Sequence, residues 1–290
     1  MISIRKTILL SATLLLALPR ITTAQEFYRA TEYGVLLGGS TYFGDLNPHY
    51  GMKYFRPAVG AFVRYHLNPY IGIRGQLNYT NVGYKDQFSN NAYQQQRNLD
   101  FKSNILEAAL MAEFNFFWFS TGESNHRFTP FLALGVGAFY YNPYTHLDGL
   151  RYDLRPLGTE GQNMAAFADR KYNTYSFCFP VGAGIKYWLR PGTNFSVELI
   201  NRFTLTDYLD DVSTTYVGVE RFIHDPMHQD PATVLQDRSV PIDGQKLGRA
   251  GKQRGDQASK DQYLMLQVSF SFQLKTYKCP SHQDGVWQSY

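Results

Sequence analysis

The densest group of potential metal ligands in the chain is Asp207, Asp210 and Asp211, within Thr206-Asp207-Tyr208-Leu209-Asp210-Asp211-Val212-Ser213. Clustered carboxylates supply the oxygen donors that a hard cation such as Ca²⁺ prefers. Aspartates at turns also accept hydrogen bonds from nearby backbone amides, and that capping role is the one expected here, with no metal. His224 and His228 have the i, i+4 spacing of a helical zinc pair, but Pro226 stands between them and no glutamate accompanies them. The histidines do not gather with a serine and an acid in any short motif, so a hydrolase lacks its nucleophile and base. Neither a phosphate-binding loop, nor a paired-cysteine metal motif, nor a dinucleotide fingerprint is found. A non-enzymatic protein without a cofactor is expected.

A second set of charged residues recurs at alternate positions. In Ile71–Thr80 (IGIRGQLNYT), Ile71, Ile73, Leu77 and Tyr79 fall on one face, with Gly75 among them, and Gly72, Arg74, Gln76, Asn78 and Thr80 on the other. Successive side chains of a strand point to opposite faces, so this is a strand with one apolar and one polar side. Arg64 and His66 likewise oppose Val63, Tyr65 and Leu67. Glu107, Glu113 and Asn115 oppose Leu106, Leu110, Phe114 and Phe116. Lys186 opposes Ile185 and Tyr187, and Glu198 and Arg202 oppose Val197, Leu199 and Phe203.

Eight such segments are expected, at about 32–42, 56–67, 71–83, 102–118, 128–141, 173–189, 194–205 and 261–274. Each is long enough to cross a bilayer as a tilted strand of roughly 9–11 residues. The connections alternate in length. Asn68-Pro69-Tyr70, Ser120–Arg127 and Arg190-Pro191-Gly192-Thr193 are short and carry turn residues. The other connections are long, the last running from Thr206 to Lys260. Short turns at one end and long loops at the other mark an outer-membrane barrel. A soluble sandwich or lipocalin-like barrel is the competing reading, and has no reason to alternate this way. The expected fold is all-β: an eight-stranded antiparallel transmembrane β-barrel, OmpA-like, with short periplasmic turns and long extracellular loops.

A barrel of eight strands is just wide enough to be filled by its own side chains, and buried charges must be paired. Arg64, Arg74, Lys186 and Arg202 against Glu107, Glu113 and Glu198 are close to balanced, which predicts a plugged lumen crossed by an ionic network. Glycines within the strands (Gly34, Gly38, Gly60, Gly135, Gly137, Gly182, Gly184) suit the tight curvature of a small barrel.

The first residues read as a signal peptide: Arg5 and Lys6, the apolar run Ile8–Leu18, and a small-residue exit with cleavage after Ala24. Removing its three basic residues leaves 25 basic against 24 acidic, so the basic balance carries no nucleic-acid inference. The organisation expected is a signal at 1–24, a barrel at 25–275 with a mobile stretch Gly244–Asp256 inside the long 206–260 loop, and a periplasmic tail at 276–290. Cys178 near the outer end of a strand and Cys279 in the tail sit on opposite sides of the membrane in this arrangement and are not expected to pair.

Glu32-Tyr33-Gly34, then Tyr42-Phe43-Gly44-Asp45-Leu46-Asn47, resembles the start of the PorG-type barrels of the Bacteroidetes type IX secretion system. The Asp207–Ser213 segment followed by Thr214-Thr215-Tyr216 is similar to their motif after the seventh strand. So are Leu235-Gln236-Asp237-Arg238-Ser239, and Gln253-Arg254-Gly255-Asp256 leading through Lys260-Asp261-Gln262-Tyr263 into the last strand. Two features depart from the pattern: Gln262 stands where a tryptophan often precedes the final-strand tyrosine, and the tail with Cys279 is peculiar to this chain. The resemblance implies a non-enzymatic part of the secretion machine, embedded in outer-membrane lipid. Its implied partner is the periplasmic ring of PorK/PorN-type proteins, with no nucleic acid and no small-molecule substrate. Contacts with that ring would fall on the periplasmic turns, at Asn68, Pro69, Tyr70, Arg190 and Pro191, on Ser120–Arg127, and on the tail. An OmpA-like structural or adhesive barrel acting through its outer loops is the alternative, and a lipid-modifying barrel enzyme a third.

Overall fold

The computed structural model describes residues 31–121, 125–222, 230–241 and 243–273. The signal segment, the tail with Cys279, and His224, Pro226 and His228 lie outside the described residues. Among the described residues nine strands form: β1 (Thr31–Phe43), β2 (Arg56–His66), β3 (Ile71–Lys85), β4 (Asp100–Asn115), β5 (Phe128–Leu147), β6 (Leu150–Asp153), β7 (Tyr175–Arg190), β8 (Thr193–Thr204) and β9 (Gln262–Gln273). Around the barrel the order is β1-β2-β3-β4-β5-β7-β8-β9, all neighbours antiparallel. It closes where β9 returns to β1, with Glu32 opposite Gln273 and Phe43 opposite Gln262. Eight strands therefore make a closed barrel, whose wall has no open edge.

The barrel has the expected eight strands, and a ninth strand, β6, adds to them outside its wall. It pairs only with the outer part of β5, through Asp148 and Gly149, both at positive φ (51° and 81°). That Asp-Gly pair is the signature of a type I′ hairpin turn. It carries β5 on past its expected end at Tyr141, and puts His146 on a strand opposite Arg151. The fourth segment, conversely, ends at Asn115 and not at Trp118.

The alternation places the apolar side chains outside and the polar ones inside. Leu77, Leu110 and Leu134 are about 60 % exposed, whereas Arg64, Arg74, Arg202, Glu107 and Glu113 are buried. A water-soluble barrel would bury the first set and expose the second. Close packing sets the glycines: at Gly182 a Cβ would stand 2.2 Å from the Leu199 carbonyl oxygen and 2.6 Å from the Ile200 Cα of the neighbouring strand.

The largest apolar core does not fill the middle of the barrel. It gathers near the long-loop end, where Tyr42, Phe101, Phe139, Tyr141 and Tyr263 meet Leu46, Leu99, Leu154, Leu209 and Leu235 from the connections. The stretch Gly244–Asp256, expected to be mobile, is folded into this end. Its Tyr216–Lys252 and Thr214–Arg254 backbone pairings and the buried Arg254 side chain hold it. Low hydrophobicity signalled solvation, but these polar groups find partners within the chain.

Candidate functional site

The middle of the bore is crossed by ion pairs. Arg64 lies 2.8 Å from Glu32 and 2.8 Å from Glu113; Arg74 lies 3.1 Å from Glu113 and 2.6 Å from Glu198. Lys186 also pairs with Glu113, and Arg202 reaches Glu107 at 3.1 Å. The strands bring all seven sequence-selected residues inward, into one set of contacts on Glu113 and a second on Glu107. Tyr263 donates to Glu107 at 2.6 Å, and Asn78 at 2.8 Å.

Glu32 is the member that sequence reasoning missed. It accepts from Arg64, Asn194 and Ser271 and stands 2.7 Å from His66 Nε2. The signal was available, because Glu32 alternates with the exposed Tyr33, Val35 and Leu37. With it, among the described residues, four carboxylates face Arg64, Arg74, Lys186 and Arg202, and His66 adds a contact to Glu32.

At the short-turn end the β4–β5 connection folds over the mouth. Phe119 is buried beside the His66 ring, and Thr121 exchanges hydrogen bonds with Asn194 and Gln273. Asn68 Oδ1 accepts from the Tyr70 and Ile71 amides at 2.8 Å, fixing a tight turn that leaves Tyr70 exposed. The hairpin at Arg190-Pro191-Gly192-Thr193 turns on Gly192 (φ +80°), as a Pro-Gly type II turn requires, with Arg190 exposed. The turns at 68–70 and 190–193 thus share one end of the barrel.

The opposite end is capped by the connections. Arg97, on the short helix Ala92–Arg97, grips Asp86 through two nitrogens (2.7 and 2.8 Å) and donates to the Asp45 carbonyl. Arg254 donates to Glu160, the Asp211 carbonyl and the Gln236 carbonyl. Glu160 in turn accepts from the Ser213 and Thr214 amides. Asp45 accepts from the Asp256 amide, and a Cβ on Gly255 would stand 2.7 Å from the Ser213 backbone nitrogen, which favours glycine there.

Asp207, Asp210 and Asp211 do not converge on a common point. Asp207 accepts from Ser213 Oγ; Asp210 from Tyr42 and the Val212 amide; Asp211 from Thr159 and Tyr172. Among the described residues no group of three or more acids, histidines or cysteines is placed to hold a metal ion. Burial pushes the Asp207 and Asp211 carboxyls up to about 6 and Asp45 to about 7. Asp210 and Asp261 are raised well above the usual carboxylate range, first by burial, then by the charges of Asp261 and Asp45 on Asp210 and of Asp207 and Asp45 on Asp261. Tyr42 stands 2.6 Å from Asp210 and 2.8 Å from Asp261. One phenol has one hydrogen, so both contacts are hydrogen bonds only if one carboxyl carries a proton.

An apolar exterior, an ion-paired bore and loops grouped at one end define the class: an eight-stranded transmembrane β-barrel of the outer-membrane type. The family model described as a domain of unknown function, DUF6089, matches residues 9–222, and the chain belongs to that family. Similar solved structures include Ail, the attachment invasion locus protein of Yersinia pestis (10 % identity, 85 % of this chain and 100 % of that one, TM-score 0.37). Neisserial surface protein A is similar at 11 % identity (84 % and 97 %, TM-score 0.40). So is the N-terminal β-barrel domain of Pseudomonas aeruginosa OprF, at 11 % (84 % and 99 %, TM-score 0.34). A search of the curated proteins finds no match.

Proposed function

We propose that the chain is a non-enzymatic outer-membrane component of the type IX protein secretion system, tying a periplasmic ring of PorK/PorN-type proteins to the membrane. The observation that carries this reading is the bore. Glu32, Glu113 and Glu198 are bridged by Arg64 and Arg74 across it, and such a barrel suits holding a partner better than passing a substrate. The family resemblance adds support from the other end. Gly44–Asn47, Asp207–Ser213, Leu235–Ser239 and Gln253–Asp256, far apart in sequence, are joined in one hydrogen-bonded cap.

In this reading the short-turn end faces the periplasm. Asn68, Pro69, Tyr70, Arg190 and Pro191 present the contact face, and the tail adds to it. Outer-membrane lipid surrounds the apolar band.

The test is export of cargo from a strain lacking the gene, beside its complemented control. Secreted proteins should accumulate in the periplasm while other outer-membrane proteins assemble normally. Unaffected export refutes the secretion role. Tyr70→Ala with Arg190→Ala should lower recovery of the ring with the barrel, and unchanged recovery removes those turns from the contact. In planar bilayers the purified barrel should show no steady large conductance.

A further inference from the structure

At the loop end a cleft of about 610 Å³ opens between the connection preceding β7, the segment Thr206–Thr215 and the segment Gln253–Lys260. One wall is a stack of three tyrosines. Tyr208 lies 4.4 Å from Tyr172 with the rings 8° apart, and Tyr172 lies 6.3 Å from Tyr141 at 10°. These rings are held in place: Tyr172 donates to Asp211 at 2.6 Å, and the Tyr141 hydroxyl meets Thr206 Oγ1 at 2.9 Å. Asp207 also lines the cleft. It is 4 % exposed, its Oδ2 accepts from Ser213 Oγ at 2.6 Å, and its Oδ1 has no partner. A buried carboxylate oxygen without a donor is rare enough to call for a ligand or an ordered water.

We propose that this cleft binds a saccharide at the cell surface. A pyranose ring presents an apolar C–H face to an aromatic ring and hydroxyl groups around its edge. Tyr172 is covered by its two neighbours and Tyr141 is buried, so the half-buried Tyr208, at the end of the stack, offers the first surface. Asp207 Oδ1 is an acceptor for the second, and a hydroxyl donating to a carboxylate makes a strong hydrogen bond. Ionic character does not select a strongly charged ligand. Asp169, Asp207 and Asp256 are offset by Lys260 and Arg170, and the Arg170 guanidinium is engaged by the Glu160 and Thr215 carbonyls. The prefixed rings and carboxylate lose little freedom on binding, which favours a small rigid ligand. The inference goes beyond the secretion reading and does not depend on it. It needs only that the long loops face outward.

The test uses the full-length barrel in lipid nanodiscs. Glucose, galactose, mannose, N-acetylglucosamine and maltose are offered separately, and contact is read by saturation transfer from protein to sugar protons. At least one sugar should receive transfer. Tyr208→Ala and Asp207→Asn should each weaken its binding by about tenfold or more, while Leu150→Ser, on the exposed tip of β6, leaves it unchanged. If Tyr208→Ala does not fold, Asp207→Asn decides alone, because it preserves shape. Absence of transfer to all five sugars overturns the proposal. So does binding that survives Asp207→Asn, or selective binding of a lysine-rich peptide in place of the sugars. Because binding is read on purified protein, its failure is distinct from failure of the export test.

Discussion

In the bore, Glu32, Glu107, Glu113 and Glu198 face Arg64, Arg74, Lys186 and Arg202. In the cap, Asp45, Asp86, Glu160, Asp207, Asp210, Asp211 and Asp261 gather around Arg97 and Arg254. The difference follows from what each backbone has to spare. Strand amides in a closed barrel are consumed by the ladder, so an inward carboxylate must find a side-chain donor, above all a cation. Loop amides are free. Val212 donates to Asp210, Leu209 to Asp261, Asp256 to Asp45, and Ser213 and Thr214 to Glu160. A loop cap can therefore hold more acids than bases, where a barrel interior has to balance them.

The sharpest way to break this contrast is at Glu113, which three cations share. Glu113→Gln leaves Arg64, Arg74 and Lys186 with an uncompensated buried charge. Removal of one partner from a buried pair costs 3–5 kcal/mol, and about 5 kcal/mol is expected here. The unfolding midpoint in urea, measured in lipid vesicles, should fall accordingly. Glu113→Gln with Lys186→Met restores the balance and should recover part of the loss. If the double variant is no better than the single one, charge balance is not what the bore requires.

Arg254→Ala is the corresponding change in the cap, and a smaller effect is expected. Glu160 keeps the Ser213 and Thr214 amides and the Thr214 hydroxyl as donors. The loss should be about 3 kcal/mol and local. Protease should cut faster within Gln253–Lys260, while the barrel's unfolding midpoint stays near that of the unaltered protein. A matching fall in that midpoint would show that cap and barrel unfold together.

The same division explains what was legible in the sequence. Period-two alternation, as in Ile71–Thr80, reads out strand, face and inward charge together, so the barrel and its ion pairs could be read from the chain. Glu32 is legible by the same parity, although it stands within the opening motif Glu32-Tyr33-Gly34. Asp148-Gly149 encodes a turn by itself, but it lies in a connection too short of alternation to mark the strands it joins. The cap had no periodicity to read. Its partners lie as far apart as Asp45 and Asp256, or Arg97 and Arg254, and the polar composition that mimics a solvated loop is what lets it satisfy its own hydrogen bonds. The aspartates of 207–211 were visible as a cluster, but only the fold shows them turned to different donors.

The smallest effect expected is a pH dependence confined to the cap. Asp207 and Asp211 rise to about 6 and Asp45 to about 7 through burial, from an ordinary value of 3.8. Groups whose carboxyls are raised in the folded state bind more protons there than in the unfolded chain, so stability falls as pH rises. The loss begins above about 4 and, for these three, is complete near pH 8, about a unit above the highest of them. Asp210 and Asp261 are raised in the same direction, by burial and by neighbouring carboxylates. Cleavage within Gln253–Lys260 should therefore quicken from pH 5 to pH 8, while the barrel's resistance to urea stays level. Asp45→Asn removes the highest of the three titrations and should flatten the upper part of the profile. A profile that it leaves unchanged would move the pH dependence onto Asp207 and Asp211, and a barrel midpoint that shifts in parallel would show that the acids of the cap and the paired charges of the bore respond as one system.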